Sequence, residues 1–239
     1  MIDTHCHIDQ YPNPLDIANE CERKNILTIG VTNLPSHFAL GVKHLSNHAK
    51  VRLALGIHPL MIEQFYSEWP IFLENIDKTS YIGEIGLDFS REGFSTKYKQ
   101  LDALKQILSV LKGRKKILSL HSRKAEKEVL QNLKLYKIEA AIFHWYSGPI
   151  TLVDEICKAG YMFSINTAMI KSKSGQQIIK HIPQSHILTE SDGPFIEYNG
   201  RSVKPSDVQK VLYHLAIEWN ISFEQVEEII ASNYRRLLS

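Results

Sequence analysis

Cysteine, long apolar runs and net charge are all in short supply, and each shortage removes a class of protein. The three cysteines, Cys6, Cys21 and Cys157, form no CxxC pair and are odd in number. A disulfide framework is therefore not expected, and a reduced, cytoplasmic protein is. No apolar run approaches the roughly 18 residues that a membrane helix requires, so no membrane span is expected. Asp3, His5 and His7 stand where the apolar stretch of a signal peptide would lie, which argues against one. Lysine and arginine number 28 against 26 aspartates and glutamates, a net charge of +2. That balance gives no global field for a polyanion, so any nucleic-acid contact has to come from a local cluster. A glycine-rich dinucleotide fingerprint after the first strand is also missing, which weighs against a doubly wound open sheet.

What is present is a 239-residue chain with 44% apolar residues, enough for a sizeable core. It shows no internal repeat, low-complexity tract or linker, so one domain over residues 1–239 is expected. Candidate strands cover Met1–His7, Ile26–Thr32, Val51–Ile57, Ser80–Leu87, Lys116–His121, Ile138–His144, Tyr161–Asn166 and His186–Asp192. Helical patterns fall near Leu15–Arg23, Ser36–Ala49, Glu68–Ile76, Ser95–Leu111, Ala125–Leu135, Ile150–Lys158 and Ser174–His181, then Pro205–Trp219 and Ser222–Ser232. Strands alternating with helices imply βαβ units and a parallel sheet. Eight such strands point to an α/β fold, a closed (β/α)8 TIM barrel, whose usual size is about 250 residues. Ser95 precedes a periodic run of Tyr98, Leu101, Leu104, Leu108 and Leu111, with Gly113 just past it as a C-terminal cap. Ser222 with Gln225 reads as a capping box at the head of the last helix.

The first strand carries Asp3-Thr4-His5-Cys6-His7. Strand side chains alternate, so His5 and His7 share one side and Cys6 takes the other. Two imidazoles inside an apolar barrel need partners, and a divalent metal is a natural one. A pair of hydrogen-bonded structural histidines is the plain alternative for this motif by itself. Glu84 then stands in the otherwise apolar strand Tyr81–Leu87, where an unpaired carboxylate is expensive. His121, His144 and Asp192 each follow an apolar run and precede a break. Those are strand C-terminal ends, where barrel enzymes build their active sites. Four histidines and two carboxylates exceed what one tetrahedral ion needs, so two divalent ions are expected. Glu84 is the candidate bridge between them. The donor set suits zinc, manganese or magnesium alike.

The run Asp3–His7, the tetrad Gly56-Ile57-His58-Pro59 and the segments Gly83–Asp88, His121–Ala125, His144–Gly148 and Glu190–Pro194 resemble the TatD family of metal-dependent deoxyribonucleases. The matches come in family order and span nearly the whole chain. The resemblance implies one metal on His5, His7, Glu84 and Asp192 and a second on Glu84, His121 and His144. It implies DNA phosphodiester hydrolysis, with Asp192 orienting or deprotonating the attacking water and Glu84 also in a catalytic role. The segments Glu20–Arg23, His144–Gly148, Phe163–Gln176 and Thr189–Phe195 resemble a narrower group, the TatD-like proteins of Qat antiphage cassettes. That implies a defence role beside an ATPase and other cassette proteins. Three departures from the family pattern stand out. Ser191 replaces a threonine, Trp145 replaces a cysteine, and Arg201-Ser202-Val203-Lys204-Pro205 stands where Arg-Asn-Glu-Pro is usual.

His58 ends the third strand and faces the same rim, as a substrate contact or as a histidine bonded to a loop. Arg91, Arg123, Lys171, Lys173, Arg201 and Lys204 follow strands and are candidate phosphate contacts. Lys112, Arg114, Lys115 and Lys116 join a helix to the next strand and belong at the opposite end of the barrel. Trp145 and Tyr146 either stack a base or pack a lid. Two other readings stay open: a hydrolase of the same superfamily acting on a non-DNA ester or amide, and a conditional or non-catalytic subunit of a defence complex. Many of the former bridge their metals with a modified lysine on the fourth strand, where Glu84 stands here.

Overall fold

Eight short parallel strands alternate with helices in the computed structural model, which describes residues 1–238. The strands are β1 (Ile2–Cys6), β2 (Leu27–Val31), β3 (Val51–Ala54), β4 (Tyr81–Gly86), β5 (Ile117–His121), β6 (Ala140–His144), β7 (Met162–Ile165) and β8 (Ile187–Thr189). Helices α1 (Pro14–Arg23), α2 (Pro35–Leu45), α3 (Phe65–Asn75), α4 (Lys97–Leu111), α5 (Glu126–Tyr136) and α6 (Val153–Lys158) fill the connections up to β7. Then α7 (Thr167–Lys171) and α8 (Lys173–His181) precede β8, and α9 (Val208–Trp219) and α10 (Phe223–Leu238) close the chain. All eight strands fall within the runs read from the sequence, and the architecture is the (β/α)8 barrel.

The ladder is continuous from β1 to β3 and from β4 to β8. Two seams complete the ring, and both carry site residues. At the first, Leu55 bridges to Ile82, and the Glu84 N–H donates to the Thr32 carbonyl at 3.1 Å. Gly56 is what permits this approach. A Cβ there would lie 2.0 Å from the Thr32 oxygen and 2.4 Å from the Glu84 nitrogen. At the second seam the Asp192 N–H donates to the His5 carbonyl at 2.9 Å, and the His7 N–H to the Gly193 carbonyl at 2.8 Å. The first strand alternates as its parity requires. Cys6 and Ile8 pack outward among Ala18 and Cys21 of α1, while His5 and His7 are buried on the inner side.

Several boundaries differ from the sequence reading for visible reasons. β8 ends at Thr189, three residues short of Asp192, because the buried Asp3 carboxylate draws the chain towards β1. It accepts the Ser191 N–H at 2.9 Å and hydroxyl at 2.6 Å, and Asp192 itself takes a left-handed φ of 47°. The last helix runs to Leu238 rather than stopping at Ser232, because Asn233 donates to the Gln184 and Ile187 carbonyls and anchors the helix beneath β8. The Ser222–Gln225 capping box at its head is present in both directions. α7 had no counterpart in the sequence reading. Asn166 creates it by capping the Ala168 and Met169 N–H groups. The hairpin of β9 (Glu197–Tyr198) and β10 (Arg201–Ser202) was likewise not expected. Tyr98 is 75% exposed, so the buried stripe of α4 runs through Ala103, Leu104, Ile107, Leu108 and Leu111 without it.

Candidate metal centre

Glu84 stands at the centre of five imidazoles. Its Oε2 lies 3.2 Å from His7 Nε2 and 3.5 Å from His5 Nε2. Its Oε1 lies 2.6 Å from His121 Nδ1, 2.9 Å from His144 Nε2 and 3.4 Å from His58 Nε2. Asp192 completes the first group, with Oδ1 at 3.7 Å from Nε2 of both His5 and His7. His5 also stacks face to face on His144 at 3.8 Å. The six residues expected as ligands therefore converge on one point inside the rim. His58 belongs to the cluster as well, since its ring nitrogen falls with Glu84 and His121 in a group compact enough to hold an ion.

The arrangement fits a cation better than protons. His5 Nε2 and His7 Nε2 point at each other across 3.2 Å, and at most one proton can lie between them. Burial opposes ionisation of Glu84, yet the surrounding imidazoles outweigh it and hold the carboxyl well below its ordinary range. Burial also disfavours a charged His144, but Glu84 beside it raises that ring well above an ordinary histidine. Burial lowers His5 well below the histidine range, with the neighbouring His144 adding to it. Burial pushes Asp192 up to about 7, only partly offset by His144 and His7. A buried site with this many imidazole and carboxylate donors is a ready cage for divalent ions.

Four further side chains hold the cluster. Ser119 Oγ pairs with His5 Nδ1 at 2.7 Å, and Asp88 Oδ2 with His121 Nε2 at 2.8 Å. Asp3 fixes the His5 N–H and the Ser191 turn. Glu190 is buried behind His144. None of these was assigned a role from the sequence, although parity offered a signal for Ser119. It shares its face with His121 inside the apolar run Ile117–Leu120.

A family model described as TatD related DNase matches residues 2–239. The chain belongs to the TatD family. It is a metal-dependent hydrolase by that membership. The chain is 26% identical to the metal-dependent hydrolase MJ1582 of Methanocaldococcus jannaschii over 242 residues, covering 97% of this chain and 94% of that one. It is 26% identical to human deoxyribonuclease TATDN3 over 258 residues, covering 99% and 94%. Among solved structures, the TatD homologue YJJV of Escherichia coli superposes with a TM-score of 0.89 at 22% identity, covering 99% and 97%. That likeness is one of fold.

In this TatD-family barrel the cluster opens into a cavity of about 690 Å³. His58, Arg123, Trp145 and Phe195 line it, with Asp88 and Glu92. Arg201 does not belong there, contrary to expectation. Its guanidinium is held by both Asp207 oxygens at 2.8 Å, on the hairpin side. Lys204 turns instead to Glu20 at 3.5 Å. Trp145, 38% exposed, lines the cavity, whereas Tyr146 is buried and donates its hydroxyl to the Pro149 carbonyl. The two aromatics therefore part, with Tyr146 as packing. At the opposite end Lys116 donates to the Ile76 and Thr79 carbonyls, as the structural reading of that basic run requires.

Proposed function

We propose that this TatD-family hydrolase cleaves DNA phosphodiester bonds with two divalent ions gathered around Glu84. The carrying observation is how Glu84 divides its neighbours. One oxygen faces His5 and His7, and the other faces His58, His121 and His144. A carboxylate so placed suits a bridge between ions roughly 3.5–4 Å apart. His5, His7 and Asp192 would hold one ion together with Glu84, and His121 and His144 would hold the other. Ions at these positions supply Lewis acidity that neutralises charge developing on the phosphate. Asp192 stands at the edge of the cluster, where it would orient a water or take its proton. Arg123, Trp145 and Phe195 line the cavity, where Arg123 would contact a phosphate and the two aromatics would stack bases.

The test is hydrolysis of single- and double-stranded DNA by purified protein with Mg²⁺, Mn²⁺ or Zn²⁺, set beside Glu84→Ala and Asp192→Asn. Both variants are expected to lose activity. Metal-dependent cleavage that survives both substitutions sinks the site assignment. Hydrolysis of a small ester or amide without any DNA cleavage moves the same site to another substrate class.

The Qat-like segments support a narrower reading, a cytoplasmic role in antiphage defence beside an ATPase and other cassette proteins. Phage plating on cells with and without this chain, in the presence of its cassette partners, tests it. Equal plating counts against a defence role.

A further inference from the structure

We infer that Glu190 is a positioning residue for His144, acting on the Nδ1 edge of that ring. The inference rests on reading His144 as a metal ligand, and it is independent of whether DNA is the substrate.

Glu190 is fully buried, and among the described residues the donors that satisfy it are all neutral. The Trp145 N–H donates to Oε1 at 3.0 Å and the Asn166 amide to the same oxygen at 2.8 Å. The Ser164 hydroxyl donates to Oε2. A glutamine would meet the same three groups, because the serine hydroxyl can turn from donor to acceptor. The scaffold at the ends of β6, β7 and β8 therefore has no need of a negative charge, and burying one is costly.

His144 supplies the need. Its Nε2 edge faces Glu84, and its Nδ1 is buried with no hydrogen-bond partner. Glu190 Oε1 lies 3.7 Å from that Nδ1, slightly beyond hydrogen-bond reach. A ring that offers its Nε2 lone pair to a metal carries its proton on Nδ1 and requires an acceptor there. The charged Oε1 of Glu190 serves that role across the 3.7 Å gap, and a glutamine keeps an oxygen there but not the charge. Its other bonds fix it against the Trp145 backbone, which holds a left-handed φ of 38° directly after His144. One carboxylate thus sets both the ring and the turn that leads from it to the cavity.

The experiment measures Zn²⁺ affinity by calorimetry for the wild-type chain, Glu190→Gln, His144→Asn and the double variant. Glu190→Gln is expected to keep the wild-type circular dichroism and to bind Zn²⁺ about ten- to a hundredfold more weakly. Added to His144→Asn, it is expected to cause no further loss. Equal affinity of wild type and Glu190→Gln overturns the proposal, and so does a full loss that persists without His144. A second measurement does not depend on any variant folding. Nitrogen-15 spectra of the Zn²⁺-loaded wild type are expected to show the His144 proton on Nδ1, and a proton on Nε2 overturns the proposal. Wild-type protein that binds no Zn²⁺ overturns it together with the metal-site reading. Protein that binds Zn²⁺ but cleaves no DNA sinks only the substrate reading, and the affinity series still decides the role of Glu190.

Discussion

Asp88 holds the Nε2 edge of His121 at 2.8 Å while the Nδ1 edge of the same ring meets Glu84 at 2.6 Å. Burial opposes ionisation of Asp88, but bonds from His121 and Ser90 bring its carboxyl to about 2, so it stays charged at any working pH. A charged acceptor behind a ligand histidine fixes the ring and raises its basicity. Asp88→Asn is expected to weaken metal binding about tenfold or more, with the fold retained. Competition against a chromophoric chelator measures it, and an unchanged dissociation constant rules the role out.

Metal affinity should depend on pH through the neutral range. Asp192, raised to about 7 by burial, is protonated below that pH and must lose the proton to ligate. His144 is also raised, so it too releases a proton on binding. Affinity therefore climbs as pH rises through about 7. For the metal-free fold the signs run the other way. A raised carboxyl penalises folding increasingly from the unfolded value of about 3.9 up to about 7. The raised His144 stabilises fully below about 6.5, and that contribution is lost as pH rises through its higher folded-state value. His5 and His58, lowered by burial, act the other way only up to the unfolded value of about 6.5. Melting with chelator should thus fall from about pH 7 to pH 8, and the increment from added Zn²⁺ should grow. A flat increment across that window contradicts the assignment.

Gly56 is a test of how the seam between β3 and β4 serves the site. No Cβ fits 2.0 Å from a carbonyl oxygen, so Gly56→Ala must push the Thr32 and Glu84 backbones apart. The expected cost is about 3 kcal/mol of stability by urea unfolding, at the upper end of ordinary overpacking. Metal affinity should fall with it, because Glu84 moves. A stable variant with weakened metal binding would still support the link, whereas wild-type values on both counts would refute it.

Residue type and strand parity were enough to read the barrel and the six converging donors, because both follow from local pattern. His5 and His7 share a face by alternation, and Glu84 stands out as a carboxylate in an apolar strand. The supports of the cluster were harder to see. Asp88 reaches His121 across 33 positions and Glu190 reaches Asn166 across 24, pairings made only when β4 lies beside β5 and β7 beside β8. Arg201 misled for a different, local reason. Its place after β8 suggested the rim, but Asp207, six residues on, captures it. His58 was legible as a rim residue, while its approach to Glu84 depends on the seam at Leu55.

The contrast between Arg123 and Arg201 separates phosphate contact from scaffold. Arg123 lines the cavity with only a loose approach of 3.8 Å to the exposed Glu92, so its charge remains available to a ligand. Arg201 spends its guanidinium on Asp207, which is buried and also pairs with Lys210. If DNA is the substrate, Arg123→Ala should weaken its binding uniformly across sequences and reduce the salt-dependence slope by about one phosphate contact. Arg201→Ala should leave affinity and slope unchanged and lower stability by about 1 kcal/mol, because the half-exposed pair is screened by solvent. Fluorescence anisotropy over a range of salt, on Asp192→Asn protein to prevent cleavage, reads both. Should Arg201→Ala alter the slope while Arg123→Ala does not, the substrate path runs over the hairpin rather than along the cavity wall at Arg123.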